Sequence, residues 1–254
     1  MKNVTKLLLS AFLFLPVHFC AAQTPLQPLH APDGGTRETF ASITIPSTPA
    51  SPFTATVNTE WIRQLPDGSN ITLKNYRTVA RDANGRVFEE RRFFVPDDGK
   101  RESTVYQIEI SDPAAHERYI CRVTERVCRL EQFVAYEFKP KAAPGASGVE
   151  NLGTQNVSGL ETIGSRETHL IETATYGNEA PILERKEFWY SPQLGINLIT
   201  MRQDPRFSSQ QNFEVTNIAL GEPDAKLFEP PSGYKILDLR KPPELSSPQA
   251  SSPQ

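Results

Sequence analysis

The feature that most constrains this chain is an alternation of apolar and polar residues with a period of two, broken at short intervals by turn-forming clusters. Phe53, Ala55, Val57, Thr59 and Trp61 alternate with Thr54, Thr56, Asn58 and Glu60. That pattern puts one apolar and one polar face on an extended strand. Pro66-Asp67-Gly68-Ser69-Asn70 reads as a turn, and the alternation resumes with Ile71, Leu73, Asn75, Arg77 and Val79. Asn84-Gly85 is a hairpin signal, because both residues tolerate positive φ. Val87–Val95 returns as a third strand before Pro96-Asp97-Asp98-Gly99. Tyr106, Ile108 and Ile110 come next, then a turn from Asp112-Pro113 that winds into a short helical turn through His116. Tyr119, Cys121 and Val123 share a face, and Val127–Phe138 turns back. No segment sustains a helical apolar period beyond about two turns. The fold class is therefore mainly β: an antiparallel meander curled into an incomplete barrel (a half-barrel), with few short helices.

The second half repeats the design. Lys139–Gly148 is a Pro/Ala/Gly loop separating two halves of one sheet. Val157–Ile171 and Ile182–Tyr190 read as strands. Lys186–Arg202 is among the richest apolar segments and turns at Ser191-Pro192-Gln193. Gln211–Leu220 is a further strand. Glu222–Phe228 suits a short helix with Pro223 in its first turn. Glu229-Pro230-Pro231-Ser232-Gly233 forces an extended exit, and Tyr234–Leu239 reads as a last strand.

The ends carry other information. Lys2 and Lys6 precede an apolar run over Leu7–Leu15, Pro16 breaks it, and Cys20-Ala21-Ala22 offers small residues for cleavage. Residues 1–22 thus read as a secretory signal peptide cut near Ala22, which implies a periplasmic or secreted protein. Phe19 before Cys20 argues against a lipid-anchoring signal. Residues 23–52 read as a Pro/Thr/Ser-rich linker, with a short edge strand at Thr39–Ile45 as its one ordered element. Residues 53–239 form a single antiparallel β domain, and 240–254 a disordered Pro/Ser/Gln-rich tail. The formal charge is −3, and loss of Lys2 and Lys6 makes the mature chain more acidic. No basic run marks a nucleic-acid partner, and no later segment has the ~20 apolar residues of a membrane-spanning helix.

Two cysteines outlast cleavage, Cys121 and Cys128. In an exported protein they imply a disulfide. A hairpin centred between Thr124 and Glu125 sets these two residues directly opposite each other, within reach of a bridge.

Chemistry is harder to find. His30, His116 and His169 have no ligand-spaced partners, and no nucleophile elbow, zinc helix or phosphate-cradling loop is present. No metal, cofactor or catalytic residue is assigned. Glu89, Glu90, Glu184 and Glu187 interleave with Arg91, Arg92, Arg185 and Lys186, as on a solvated, cross-strand-paired face. Trp61, Phe188, Trp189 and Tyr190 form a candidate apolar ligand face, with core packing as the competing reading.

In Gly153–Tyr234 the segments Gly164-Ser165-Arg166-Glu167-Thr168, Glu187-Phe188-Trp189-Tyr190-Ser191-Pro192, Asp204-Pro205-Arg206 and Pro230-Pro231-Ser232-Gly233-Tyr234 stand in order, after Arg81-Asp82-Ala83-Asn84-Gly85-Arg86 upstream. Together they resemble an exported bacterial β-rich family of unknown function. More distantly, the Phe228-to-Tyr234 close is similar to that of the lipoprotein-carrier (LolA/LolB-like) superfamily. That resemblance implies an incomplete antiparallel barrel holding acyl chains; it transfers no binding residue.

The reading that follows is an exported binding protein rather than an enzyme, taking an apolar ligand such as a lipid or acyl chain, or a cell-envelope partner, on the concave face of its sheet. Two alternatives stand beside it: an envelope polysaccharide hydrolase using paired carboxylates, and a structural or assembly module of the envelope.

Overall fold

The computed structural model describes residues 43–135 and 146–240. The segments read from sequence as a signal peptide (1–22), most of the 23–52 linker, part of the central loop (136–145) and the tail beyond Arg240 lie outside them. The described residues build one 13-stranded sheet that does not close into a barrel. Helical structure among them amounts to two 3-10 turns, Pro205–Phe207 and Ala225–Phe228.

In chain order the strands are β1 (Phe53–Gln64), β2 (Asn70–Arg81), β3 (Val87–Arg92), β4 (Val95–Pro96), β5 (Val105–Asp112), β6 (Glu117–Arg122) and β7 (Val127–Gln132). They are followed by β8 (Ala146–Val157), β9 (Leu160–Ile171), β10 (Ile182–Ser191), β11 (Ile196–Asp204), β12 (Ser209–Leu220) and β13 (Lys235–Asp238). Their spatial order is β13-β7-β6-β5-β3-β2-β1-β12-β11-β10-β9-β8, with β4 paired to β2. The chain starts in the middle at β1 and meanders outward to β7. It then resumes at the opposite edge with β8 and meanders inward until β12 pairs with β1. The sheet is thus two meanders joined along β1–β12. The one departure from antiparallel pairing is β13, which runs parallel to β7.

Several elements differ from the sequence reading. That reading has loop through Gly148 and no strand before Val157, where the structure has β8. From residue 147 onward β8 is exposed on both faces apart from Leu152 and Val157, so this edge strand has no buried side to impose alternation. Val87–Val95 divides into β3 and β4. β7 stops at Gln132, and Val134 is 78% exposed. The turn ending at His116 does not become helical; His116 takes φ 56° instead.

Two apolar cores form, on opposite sides of the same sheet. The side carrying Phe53, Ala55 and Val57 is called face A here. Directly opposed residues share a face, so Val57 aligns with Val215, and Thr59 with Phe213 and Thr200. Phe53, Val57, Val79, Leu198, Phe213 and Val215 are almost completely buried there. Ile43 and Ile45 pack into the same cluster. The stretch read as linker therefore contributes core, although residues 43–47 form no strand. Buried Arg81 ties this strap down. Its Nη2 donates to the Ser51 carbonyl at 2.9 Å and the Leu194 carbonyl at 2.7 Å. At the β2–β3 turn Gly85 has φ +85°, and a Cβ there would lie 2.6 Å from the Thr48 carbonyl carbon, so the strap needs a glycine to pass. The second core lies on face B, where Ala80, Phe88, Ile110 and Tyr119 form a row. Phe228 and Leu227 of the second 3-10 turn cover it.

Cys121 and Cys128 are directly opposed, fully buried and joined by a disulfide, in the register the sequence implied.

Candidate functional site

The four aromatic residues proposed from sequence do not make one surface. Consecutive strand residues point to opposite sides, so Trp189 lies on face B while Phe188 lies on face A, opposite Thr200. The half-buried Trp189 ring packs over Gly164, where a Cβ would come within 2.6 Å of it, and its Nε1 donates to Glu187 at 3.1 Å. Phe188 and Tyr190 are brought together. With Ile43, Ile196 and Thr200 they line a cavity of about 190 Å³ beside the strap. Trp61 is on face A too, three strands from β10, in the row Trp61–Gln211–Arg202–Lys186. The Arg63 guanidinium sits 5.0 Å from its ring centre.

Face A therefore grades along the strands of the β9–β12 half. The row Val57–Val215 is buried, the row Phe213–Thr200–Phe188 borders the cavity, and the next row carries Arg202 and Lys186. Burial pushes the Arg202 guanidinium below its ordinary range, and among the described residues neither Arg202 nor Lys186 makes an ion pair.

On the β3–β7 half, face A instead carries a chain of ion pairs. Arg77 meets Glu89 at 2.8 Å, Arg91 meets Glu89 at 3.1 Å and Glu109 at 3.0 Å, and Arg118 meets Glu109 at 2.7 Å. Burial raises the Glu109 carboxyl, but Arg91 and Arg118 outweigh it and hold it below its ordinary range. Of the charged residues singled out from sequence, Glu89 and Arg91 pair here, whereas Glu90 and Arg92 pair on face B. Glu187 pairs with Arg166, and Glu184 with Arg206.

A cavity of about 730 Å³ lies on face B. Its lining residues are mostly charged or amide-bearing, with Tyr76, Val95 and Pro96 among them, and sequence reasoning missed it. Its floor comes from the outward positions of β1, β2 and β12, which read as merely solvated, and its rim from the Pro96–Ser103 connection. Glu60 and Glu214 share this cleft. Glu60 already binds Lys74 and Asn212, and Glu214 is exposed.

No protein-family model matches the chain, and no curated protein matches it. Solved structures are similar at low identity. MucB of Pseudomonas aeruginosa, in its complex with MucA, is 14% identical with a TM-score of 0.42, over 75% of this chain and 59% of that one. An uncharacterized conserved protein from Thermus thermophilus is 10% identical with a TM-score of 0.38, over 74% and 91%. A LolA superfamily protein from Nitrosomonas europaea is 9% identical with a TM-score of 0.30, over 71% and 91%. The chain spans about 59% of the MucB chain. The resemblance to the lipoprotein-carrier superfamily is a distant one. Among the described residues no helix is long and apolar enough to cross a membrane.

Proposed function

We propose that this is an exported binding protein of the cell envelope, released by cleavage near Ala22, that takes an apolar chain on face A beside the Ile43–Ile45 strap. The supporting observation is the cavity where Phe188, Tyr190 and Ile196 meet Ile43. There Ile43 and Ile196 of the first core reach the edge of its cover beside Phe188, with Asn197, Thr200 and Arg202 sharing the lining. A lipid or acyl chain, free or carried by an envelope partner, gains by burying apolar area at such an edge. The cavity is smaller than most ligand sites, so binding displaces part of the strap.

Mass spectrometry of lipid co-purifying with the exported, native protein tests this. Acyl-chain species should accompany the wild type and be lost from Phe188→Asp, whose carboxylate is costly to bury in that cavity. Absence of lipid from the wild type, or equal lipid in both, overturns the reading.

A further inference from the structure

The face-B cleft is independent of that site, and its floor has a regular layout. Asn58 opposes Tyr76 on one side and Glu214 on the other, and Glu60 likewise opposes Lys74 and Asn212. Two lateral rows of three side chains result, Tyr76–Asn58–Glu214 and Lys74–Glu60–Asn212. Strand spacing and rise make them a patch of roughly 10 by 7 Å.

Most of the floor is held in place by neighbours on the same sheet. Asn58 Nδ2 donates to Thr216 Oγ1 at 2.8 Å, Asn212 Nδ2 to Glu60 Oε2 at 2.9 Å, and Gln210 Nε2 to Asn212 Oδ1 at 2.9 Å. The Arg92 guanidinium lies 4.4 Å from the Tyr76 ring centre. The rim is fixed as well. Lys74 pairs with Asp97 at 3.0 Å, β4 bridges β2, Arg92 Nη1 donates to the Ser103 carbonyl at 2.7 Å, and Ser103 Oγ donates to the Phe93 carbonyl at 2.7 Å. These contacts fix both floor and rim, so little ordering cost attends binding. Its volume of about 730 Å³ falls in the size range of small-molecule sites.

The chemistry of the lining narrows the ligand. Glu60, Glu214 and the rim acids are closely balanced by Lys74, Lys100 and Arg101, so the cleft offers no one-signed field for a polyanion or polycation. An apolar chain would take Glu214 and the floor's remaining hydrogen-bonding capacity out of water with nothing in exchange. Hydroxyl groups can donate to the carboxylates and accept from the lysines and amides, while the Tyr76 ring offers an aromatic face to C–H groups. We propose that this cleft binds a neutral oligosaccharide.

Isothermal titration calorimetry with three soluble neutral probes, cellotetraose, maltotetraose and chitotetraose, and one acidic probe, a tetragalacturonate, tests it. At least one neutral tetramer should bind. Tyr76→Ala and Glu214→Ala, both at exposed positions, should each weaken that binding at least tenfold with an unchanged melting temperature. The proposal is overturned if no neutral probe binds, if only the acidic probe binds, or if both variants bind like wild type. Phe188→Asp, the face-A variant, should bind the tetramer normally; its loss there would also count against a separate site.

Discussion

The two cores differ in which face of the sheet they use, and the difference shows how one sheet can serve two purposes. Around β1, β11 and β12 the chain buries face A under Ile43 and Ile45; around β5 and β6 it buries face B under Leu227 and Phe228. Alternation obliges a strand to bury one side, but the covering segment decides which. Where the cores meet, strands must be apolar on both sides. Val79 and Ala80 are both fully buried on β2, and Val87 and Phe88 are 4% and 7% exposed on β3. Beyond that seam each face reverses character, and the pair of buried Arg77 with half-buried Glu89 marks the boundary on face A. Each half thus keeps a polar surface opposite its core: the Arg–Glu chain on one, the oligosaccharide cleft beside the other.

The comparison can be broken most sharply by truncating the first core. Phe213→Ala should cost about 3–5 kcal/mol in urea denaturation, with loss of protection in amides of β1, β11 and β12. Removing the bridge with Cys121→Ser and Cys128→Ser should cost about 2–3 kcal/mol at most, since the closed loop is short. Hydrogen exchange should then accelerate in β6 and β7 and leave β1–β12 unchanged. Phe228→Ala, at the smaller core, should cost about 2 kcal/mol by lost apolar burial. If it instead exposes the same amides as Phe213→Ala, the two cores melt as one unit and the distinction fails. The smallest effect is electrostatic. Glu109 has a folded pKa below its ordinary value, so its stabilisation is present above about pH 4 and is lost as pH falls through the lowered value. Glu109→Gln should flatten the acid limb of a stability–pH curve; an unaltered limb would remove Glu109 from the account.

Much of this architecture was legible. The alternation at Phe53–Trp61 and the Asn84-Gly85 and Pro66–Asn70 turns are local signals, and local signals set hairpins. The Cys121–Cys128 register followed from the turn centre alone. What could not be read was long-range. Nothing near Ile43 indicates that it joins the cluster of Val57 and Val215, because a two-isoleucine segment has no period. β8 carried no alternation because an edge exposed on both sides needs none. The splitting of Trp189 from Phe188 and Tyr190 was available in principle, since three successive strand residues cannot share a face. The cleft was hidden because its residues occupy wet positions that differ from ordinary surface only through the cross-strand grid formed when β12 joins β1.

That junction also sets the order in which the protein can assemble. Asn58 and Thr216 touch across 158 residues of sequence, whereas most other pairings are between neighbouring strands. Non-local closure is slow compared with pairing between strands adjacent in sequence. The β1–β7 meander can therefore form while the inner edge of β1 still lacks its partner, and an unpaired edge invites association with other chains. Shortening the delay before Ser209–Leu220 arrives, or shielding β1 meanwhile, is the step on which yield of soluble protein should depend.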